Sequence, residues 1–284
     1  MRLYISLLLT VLLFTACGLK PKEDSGNTIY VTITPLKAII EEITCGDFNV
    51  EVIVPDGASP ETYEPSAKQL TKINESRMIF STGLINFEQS IVERIDDAKI
   101  VNLSEGIELI DGSCSHHQHN HSHGIDPHIW TSPKSLRSMV ITARDAIMEE
   151  FPDNEEYAEA AERLLERIDA LDAMCQQQIA TNGVKAIMIY HPAYTYYARD
   201  YGIKQIAIEH DGKEPTPKQL TSLCNKGNNL GIDVIFHQPQ YSADKVSSIA
   251  SDIGAEVVET DPLAKDILAE IERITKIICN NDEQ

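Results

Sequence analysis

Side chains that could bind a metal stand in four loops, each of which follows a short apolar segment. Glu61 and His128 lie in the first half of the chain, and His191 and Asp261 lie in the second half. Imidazole nitrogens and carboxylate oxygens are the donors that zinc and related divalent metals accept from proteins. Each half therefore offers two donors, which is what a metal clamped between two lobes requires.

A second group of histidines lies in a polar tract at residues 114–124. Its members alternate with serine, glutamine and asparagine, and they are His116, His117, His119, His121 and His123. Imidazoles spaced in this way can wrap zinc or copper. A flexible ligand set must lose chain entropy before it binds tightly, so we predict a loop that gathers or senses metal weakly. The alternative is a solvated loop with no specific role.

The elements that must position these residues follow an alternating pattern. Short β-branched runs alternate with amphipathic stretches, which is typical of βαβ units that form parallel sheets. Strands are predicted near residues 29–33, 50–54, 78–81, 100–103, 186–190, 205–208, 234–236 and 256–258. Helices are predicted near residues 36–43, 67–74, 87–95, 194–201, 217–225, 243–253 and 265–278, with another that starts near residue 133.

This pattern predicts an α/β fold of two lobes, at residues 28–152 and 183–284. Each lobe should contain a four-stranded, mainly parallel sheet flanked by helices. Open α/β sheets bind ligands beyond the carboxyl ends of their strands. His191 stands directly after a predicted strand, and the other three donors stand in comparable loops.

Residues 153–182 are predicted to form one long helix. The segment contains neither glycine nor proline, begins with Asp153 as an N-cap and ends at Asn182-Gly183. Such a helix would extend roughly 40 Å at about 1.5 Å per residue. It is interpreted as a strut that joins the two lobes, and the alternative is a long helix inside one domain.

The first 27 residues resemble an export signal followed by a tether. Residues 1–16 carry Arg2, an apolar run and two small residues, in the order of a secretory signal peptide. Cys17 follows Ala16 and resembles the acylated cysteine of a bacterial lipoprotein, although plain secretion is the alternative. Residues 17–27 are predicted to be a lipidated tether, because several acyl chains on one residue anchor a protein stably.

Charge and cysteine usage narrow the function further. The formal net charge of −20 makes nucleic acid an unfavourable partner. The six cysteines contain no Cys-x-x-Cys pair, which disfavours cysteine-based zinc binding. For the exported protein, a disulfide between Cys224 and Cys279 is the first pairing to test, because both fall near predicted helix ends in the same half.

From these motifs the chain resembles the metal-binding lipoproteins of bacterial ABC importers for zinc and manganese. The resemblance covers essentially everything after the tether. It rests on the histidine-rich tract and on five short segments, namely residues 57–66, 126–130, 191–194, 239–242 and 261–263. It implies two lobes joined by a single long helix, a buried metal site between them, and delivery of the metal to a permease by an exported lipoprotein, periplasmic or at the cell surface, that works as a monomer.

The resemblance also implies a ligand set. His128 and His191 would be nitrogen ligands and Asp261 an oxygen ligand. At the first ligand position the family usually has histidine after Ser-Pro, whereas this chain has Glu61. Two carboxylates make the set harder and favour manganese or iron(II), but the histidine-rich tract and His191 favour zinc, which is the first expectation.

Two acidic residues are expected to orient the imidazole ligands. Asp126 and Glu209 are predicted to accept hydrogen bonds from the ligating imidazoles.

A metal-dependent hydrolase is the main rival function. The chain lacks His-Glu-x-x-His and Gly-x-Ser-x-Gly sequences, and four protein ligands would leave no position for water. We therefore do not expect an enzyme. A surface adhesin is a third hypothesis, and it predicts an exposed apolar patch.

Overall fold

The computed structural model describes residues 25–96, 99–112, 124–209, 215–242 and 244–279. The predicted signal peptide, Cys17 and the five histidines of the 114–124 tract lie outside the described residues. Within the described part of the chain, none of the helices combines the length and the apolar character needed to cross a membrane.

The first lobe contains a sheet of four parallel strands in the order β2-β1-β3-β4. Its strands are β1 (Thr28–Val31), β2 (Asn49–Val52), β3 (Met78–Ser81) and β4 (Ile100–Asn102). Its helices are α1 (Thr34–Ile43), α2 (Ala67–Asn74), α3 (Asn86–Val92) and α4 (Pro133–Glu150). A short 3-10 helix, Ile129–Thr131, precedes α4.

The second lobe repeats this arrangement with strands in the order β6-β5-β7-β8, again all parallel. Its strands are β5 (Ala186–Ile189), β6 (Lys204–Ala207), β7 (Val234–His237) and β8 (Glu256–Glu259). Its helices are α6 (Thr195–Asp200), α7 (Pro217–Leu230), α8 (Asp244–Ile253) and α9 (Ile267–Ile278). The predicted fold class is confirmed, with differences at the ends of elements.

A single helix of 28 residues, α5 (Glu155–Asn182), joins the lobes. It begins after Asn154, one residue beyond the predicted cap, and it ends at Gly183, whose φ of 64° is the left-handed conformation that stops helices. It contacts α1 and α4 of the first lobe and α9 of the second. Its buried face belongs to one apolar core that continues from the first lobe into the second, so the strut is packed along its length.

Helix α7 extends five residues further than predicted, from the expected end near residue 225 to Leu230. It continues through Gly227, which costs helix stability relative to alanine. A Cβ at this position would lie 2.8 Å from the Cδ1 atom of Ile253 on α8. Glycine therefore permits the close approach of α7 and α8, which the sequence pattern alone did not reveal.

The predicted disulfide between Cys224 and Cys279 is wrong, because both cysteines are free. Alternate residues of β5 pack on opposite sides of the second sheet. Ile187 belongs to the core that includes Cys279 and helix α9, whereas Met188 belongs to the core against which Cys224 packs. The two cysteines thus lie on opposite faces of one sheet, which proximity to helix ends could not indicate.

Candidate metal centre

Three of the four predicted ligands converge between the lobes. Glu61, His128 and His191 each offer a donor atom within 4.8 Å of the others. The Nε2 atom of His191 lies 3.3 Å from Oε1 of Glu61 and 3.4 Å from Nε2 of His128. Donors at about 2.0 to 2.1 Å from a tetrahedral zinc lie roughly 3.3 Å from one another. The distances from His191 to the other two donors therefore match the edges of a zinc coordination tetrahedron.

His128 lies in the loop between β4 and α4, and one residue orients it. Oδ1 of Asp126 accepts both the backbone N–H and the Nδ1–H of His128, each at 2.9 Å. Burial raises the pKa of Asp126, but the hydrogen bonds from His128 outweigh burial and lower the pKa below its usual value. Asp126 is therefore a carboxylate, and a proton held on Nδ1 leaves Nε2 free to face the other donors.

His191 follows β5 and is held through its other ring nitrogen by Glu209, which follows β6. The Nδ1 atom of His191 lies 2.6 Å from Oε1 of Glu209. Burial of His191 lowers its pKa, but hydrogen bonds to Glu209 and Glu61 outweigh burial and raise the pKa to about 9. In the absence of metal, His191 thus carries a proton at neutral pH and is paired with two carboxylates. The contacts predicted for Asp126 and Glu209 are both confirmed.

Glu61 lies in the long loop between β2 and α2, at the open side of the cluster. Its side chain is 41% exposed, whereas those of His128 and His191 are 9% and 11% exposed. Burial raises the pKa of Glu61, but the hydrogen bond and the charge of His191 outweigh it and lower the pKa. Glu61 is therefore ionised and is the donor of this cluster that solvent reaches most easily.

Asp261, the fourth predicted ligand, is not part of this cluster. Its Oδ1 accepts the N–H of Leu263 at 2.9 Å, and its side chain is also hydrogen-bonded to Gln240. It lines a neighbouring crevice of about 660 Å³ between the lobes rather than the cavity that contains the other donors. Burial raises the pKa of Asp261 above its usual value. A role for Asp261 in metal binding stays a prediction and requires its carboxylate to approach the other three donors.

Buried hydrogen bonds between the lobes hold the cavity in shape. Nε1 of Trp130 donates to the carbonyl of Pro262 at 2.7 Å, and the Thr131 hydroxyl donates to the carbonyl of Ala193 at 2.8 Å. The Tyr196 hydroxyl donates to the carbonyl of Asp126 at 2.8 Å. The bond from Thr131 joins the segment after His128 to the loop that carries His191, so it restricts the distance between the two imidazoles.

The cavity is mostly apolar apart from its donors. Trp130 lines it, together with Pro127, Ile85 and Leu263. Apolar walls exclude water and so strengthen each contact between a charge and a donor. Tyr63, Tyr194 and Tyr196 are absent from its wall. Tyr63 packs on Phe87 and the other two are fully buried.

Sequence reasoning missed two residues that contact His191. The side-chain amide of Gln238 is hydrogen-bonded to the His191 backbone, and the ring of Tyr241 stacks on the imidazole. Both lie near the Pro-Gln-Tyr-Ser segment at residues 239–242, to which the resemblance drew attention without giving it a role. That segment was the available signal, although its contact with His191 depends on the pairing of β5 with β7.

Comparison with known proteins gives consistent results. The family profile described as zinc-uptake complex component A, periplasmic, matches residues 29–276. The high-affinity zinc uptake system protein ZnuA of Bacillus subtilis is 29% identical over 272 residues, which cover 88% of this chain and 85% of that protein. The zinc-binding lipoprotein AdcA of Streptococcus pneumoniae is 26% identical over 275 residues, which cover 91% of this chain. This chain spans 55% of the length of AdcA.

Solved structures agree with the sequence comparisons. A crystal structure of ZnuA superposes with a TM-score of 0.80 at 29% identity, over 90% of this chain and 100% of that chain. A zinc-bound deletion variant of ZnuA superposes equally well, with a TM-score of 0.80 over 91% of this chain and 99% of that one. The similarity therefore extends over both lobes and the helix that joins them.

Proposed function

Because this chain belongs to the family of periplasmic components A of zinc-uptake complexes, we propose that it captures a zinc ion between its two lobes and delivers it to an ABC importer. The observation that carries the proposal is the convergence of Glu61, His128 and His191, with His191 at a distance suited to tetrahedral zinc from each of the other two donors. Two imidazoles supplied by different lobes make the site dependent on the closed arrangement, which a permease can read.

The alternative cargo is manganese or iron(II), bound by a protein of the same type. Glu61 supports this alternative, because a carboxylate in place of an imidazole makes the donor set harder. Zinc remains the first proposal, since two imidazoles form the buried part of the site and the relatives named above are described as zinc-binding or zinc-uptake proteins.

Binding exchanges a proton for the metal. His191 is held as an imidazolium between Glu61 and Glu209, and its Nε2 must lose a proton before it can donate an electron pair. Asp126 and Glu209 then accept the Nδ1–H bonds that orient the two rings toward the ion. Membership of a family of uptake components confirms the expectation that the chain is not an enzyme.

Asp261 is proposed as a fourth ligand that completes the coordination after the ion arrives. Its carboxylate would exchange its hydrogen bonds to Leu263 and Gln240 for the metal. The three converged donors leave one position of a tetrahedron, and a protein ligand in that position favours carriage over hydrolysis, because no water is then activated.

The protein is proposed to act as an exported monomer held at a membrane by acylation of Cys17. The cysteine after small residues supports this proposal, and the pneumococcal relative is named a lipoprotein. Metabolic labelling with a fatty acid should mark the wild-type chain and not Cys17→Ser, whereas equal labelling of both would contradict acylation at this residue.

The cargo is tested by elemental analysis of protein purified without added metal, followed by competition between zinc and manganese. We expect one equivalent of zinc, displaced by a chelator and regained in preference to manganese. The double variant His128→Ala/His191→Ala should retain none. A matched control is His237→Asn, because His237 ends β7 in the second lobe outside the cluster. Equal zinc content in the double variant and the control would contradict the proposal.

A further inference from the structure

His191 directly follows β5, at the point where the order of strands in the second lobe's sheet reverses. Strand β5 lies between β6 and β7, and the chain runs from β5 to β6 on one side and on to β7 on the other. The last ladder bond on the β7 side joins the N–H of Tyr190 to the carbonyl of Phe236 at 2.9 Å. One residue later the two strands separate, so the backbone of His191 has left the ladder while it is still buried.

The side chain of Gln238 replaces the missing ladder bonds. Its Oε1 accepts the N–H of His191 at 3.2 Å, and its Nε2 donates to the carbonyl of His191 at 2.6 Å. Gln238 is only 2% exposed. The orientation of its amide is fixed by these partners, because an N–H needs an acceptor and a carbonyl needs a donor. Without Gln238, the N–H of His191 would be buried and unpaired, which is unfavourable, and its carbonyl would keep only the N–H of Ala193 at 2.9 Å.

The same segment also contacts the imidazole of His191. The N–H of Tyr241 donates to the carbonyl of Gln238 at 3.0 Å and closes a turn between these two residues. The ring of Tyr241 is stacked on that of His191, with centroids 5.5 Å apart and an angle of 22° between the planes. One short turn therefore fixes both the backbone of His191 and the face of its ring.

We propose that Gln238, with Tyr241, is a positioning residue for the metal ligand His191. The inference rests on the proposed function and adds the device that aims this ligand. Gln238 holds the backbone of His191, Tyr241 packs on one face of its ring, and Glu209 binds its Nδ1 atom. The His191 side chain therefore has little conformational entropy left to lose when the metal binds. Gln238 acts through His191 and is not itself a ligand.

Gln205 offers a matched control, because it supports the same loop from β6. Oε1 of Gln205 on β6 accepts the N–H of Tyr194 at 2.6 Å, and its Nε2 donates to the Thr195 hydroxyl at 2.8 Å. Gln205 thus ties down the loop that begins at His191, through a glutamine amide, without contacting His191. Gln205→Met should lower the stability of the fold as Gln238→Met does. It should leave the orientation of the His191 imidazole unchanged.

The experiment compares wild type, Gln238→Met and Gln205→Met. Zinc affinity is measured by competition with a chelator, and ligand geometry by the visible absorption of the cobalt(II)-loaded proteins. We expect Gln238→Met to lose about 10- to 100-fold in zinc affinity and to change the cobalt spectrum, as replacement of groups that orient metal ligands does. Gln205→Met reaches the site only through Thr195 and Asp126, so it should lose clearly less affinity than Gln238→Met and keep a cobalt spectrum closer to that of wild type, although both variants melt at lower temperature.

A shorter amide covers the case in which Gln238→Met does not fold. Gln238→Asn keeps the polar group but lacks one methylene, so it cannot make both contacts with His191. Gln238→Asn should show a smaller loss of zinc affinity and a smaller change in the cobalt spectrum than Gln238→Met. If the Gln238 variants match Gln205→Met in affinity and spectrum, the positioning role is overturned. If wild type itself binds neither zinc nor cobalt, the proposed function fails, and the two failures are therefore distinguishable.

Discussion

The two buried histidines of the site are supported in different ways. His128 depends on Asp126, two residues before it, whose single oxygen accepts both the backbone and the ring of the histidine. His191 needs three residues from two distant segments for the same tasks, and these are Glu209 after β6 and Gln238 with Tyr241 after β7. The first lobe thus builds its half of the site from a local turn, whereas the second lobe builds its half from the order of its strands.

The largest expected effect comes from removing either imidazole. His128→Ala and His191→Ala should each lose more than about 100-fold in zinc affinity, since loss of a ligand exceeds the loss caused by its supporting groups. Deletion of residues 116–123 should cost far less, because the three converged donors are all outside that segment of the sequence. Calorimetric titration with zinc measures all three variants. Similar affinities throughout would remove the basis of the comparison.

The next effect separates the two kinds of support. Asp126→Ala leaves both a backbone N–H and a ring N–H of His128 without their acceptor, whereas Glu209→Ala leaves only the ring of His191. Each should lose about 10- to 100-fold in zinc affinity, with the greater loss for Asp126→Ala.

Unfolding in urea of the metal-free proteins checks the same difference. Asp126→Ala should be the less stable by about 1 to 3 kcal/mol, the cost of one further unsatisfied buried donor. If Glu209→Ala lowers the stability as much as Asp126→Ala does, or more, then the proposed difference between the support of His128 and that of His191 is wrong.

A third prediction concerns the proton on His191 in the metal-free protein. Its pKa is raised from 6.5 to about 9, so its ion pairs stabilise the fold fully below pH 6.5, and this contribution is lost as the pH rises through about 9. The loss should be on the order of 3 kcal/mol, because one pKa unit corresponds to about 1.4 kcal/mol. The unfolding temperature, measured as a function of pH, should show this decline, and the decline should be shallower in Glu209→Gln. If the unfolding temperatures of both proteins fall equally with pH, the assignment of this loss to His191 is wrong.

The same proton should appear during metal binding. At pH 7.5 zinc must displace it from His191, so calorimetry in buffers of different ionisation enthalpy should register proton release on binding. Binding should also weaken as the pH falls, because protons compete with the metal for the imidazole nitrogens. Release that is unchanged in His191→Ala would place the proton elsewhere.

The smallest expected effect concerns Glu61, the exposed donor. Glu61→His gives the site a third imidazole and should shift the ratio of zinc to manganese affinity toward zinc. The change in zinc affinity itself should be smaller than that caused by loss of either buried histidine, since solvent screens an exposed donor. Competition between the two metals measures the ratio. A shift toward manganese would contradict the argument from ligand hardness.

Much of this arrangement could be predicted from local sequence. The alternation of strands and helices predicted all eight strands described here, and the absence of glycine and proline predicted α5. The pairing of Asp126 with His128 was predictable because only a proline separates them. The start of α5 differs from the prediction by one residue, and the end of α7 was less predictable, since it depends on the packing of Gly227 against α8.

The sequence by itself determined the fold class, three residues that converge between the lobes and the local support of His128, because these depend on residue type and on short spacings. Only the tertiary structure decided that Gln238 and Tyr241 hold His191, that Asp261 faces a different crevice, and that Cys224 and Cys279 lie on opposite faces of a sheet. The physical reason is the pairing of β5 with both β6 and β7, which joins residues 18 and 47 positions apart. Local propensity carries no information about such pairings.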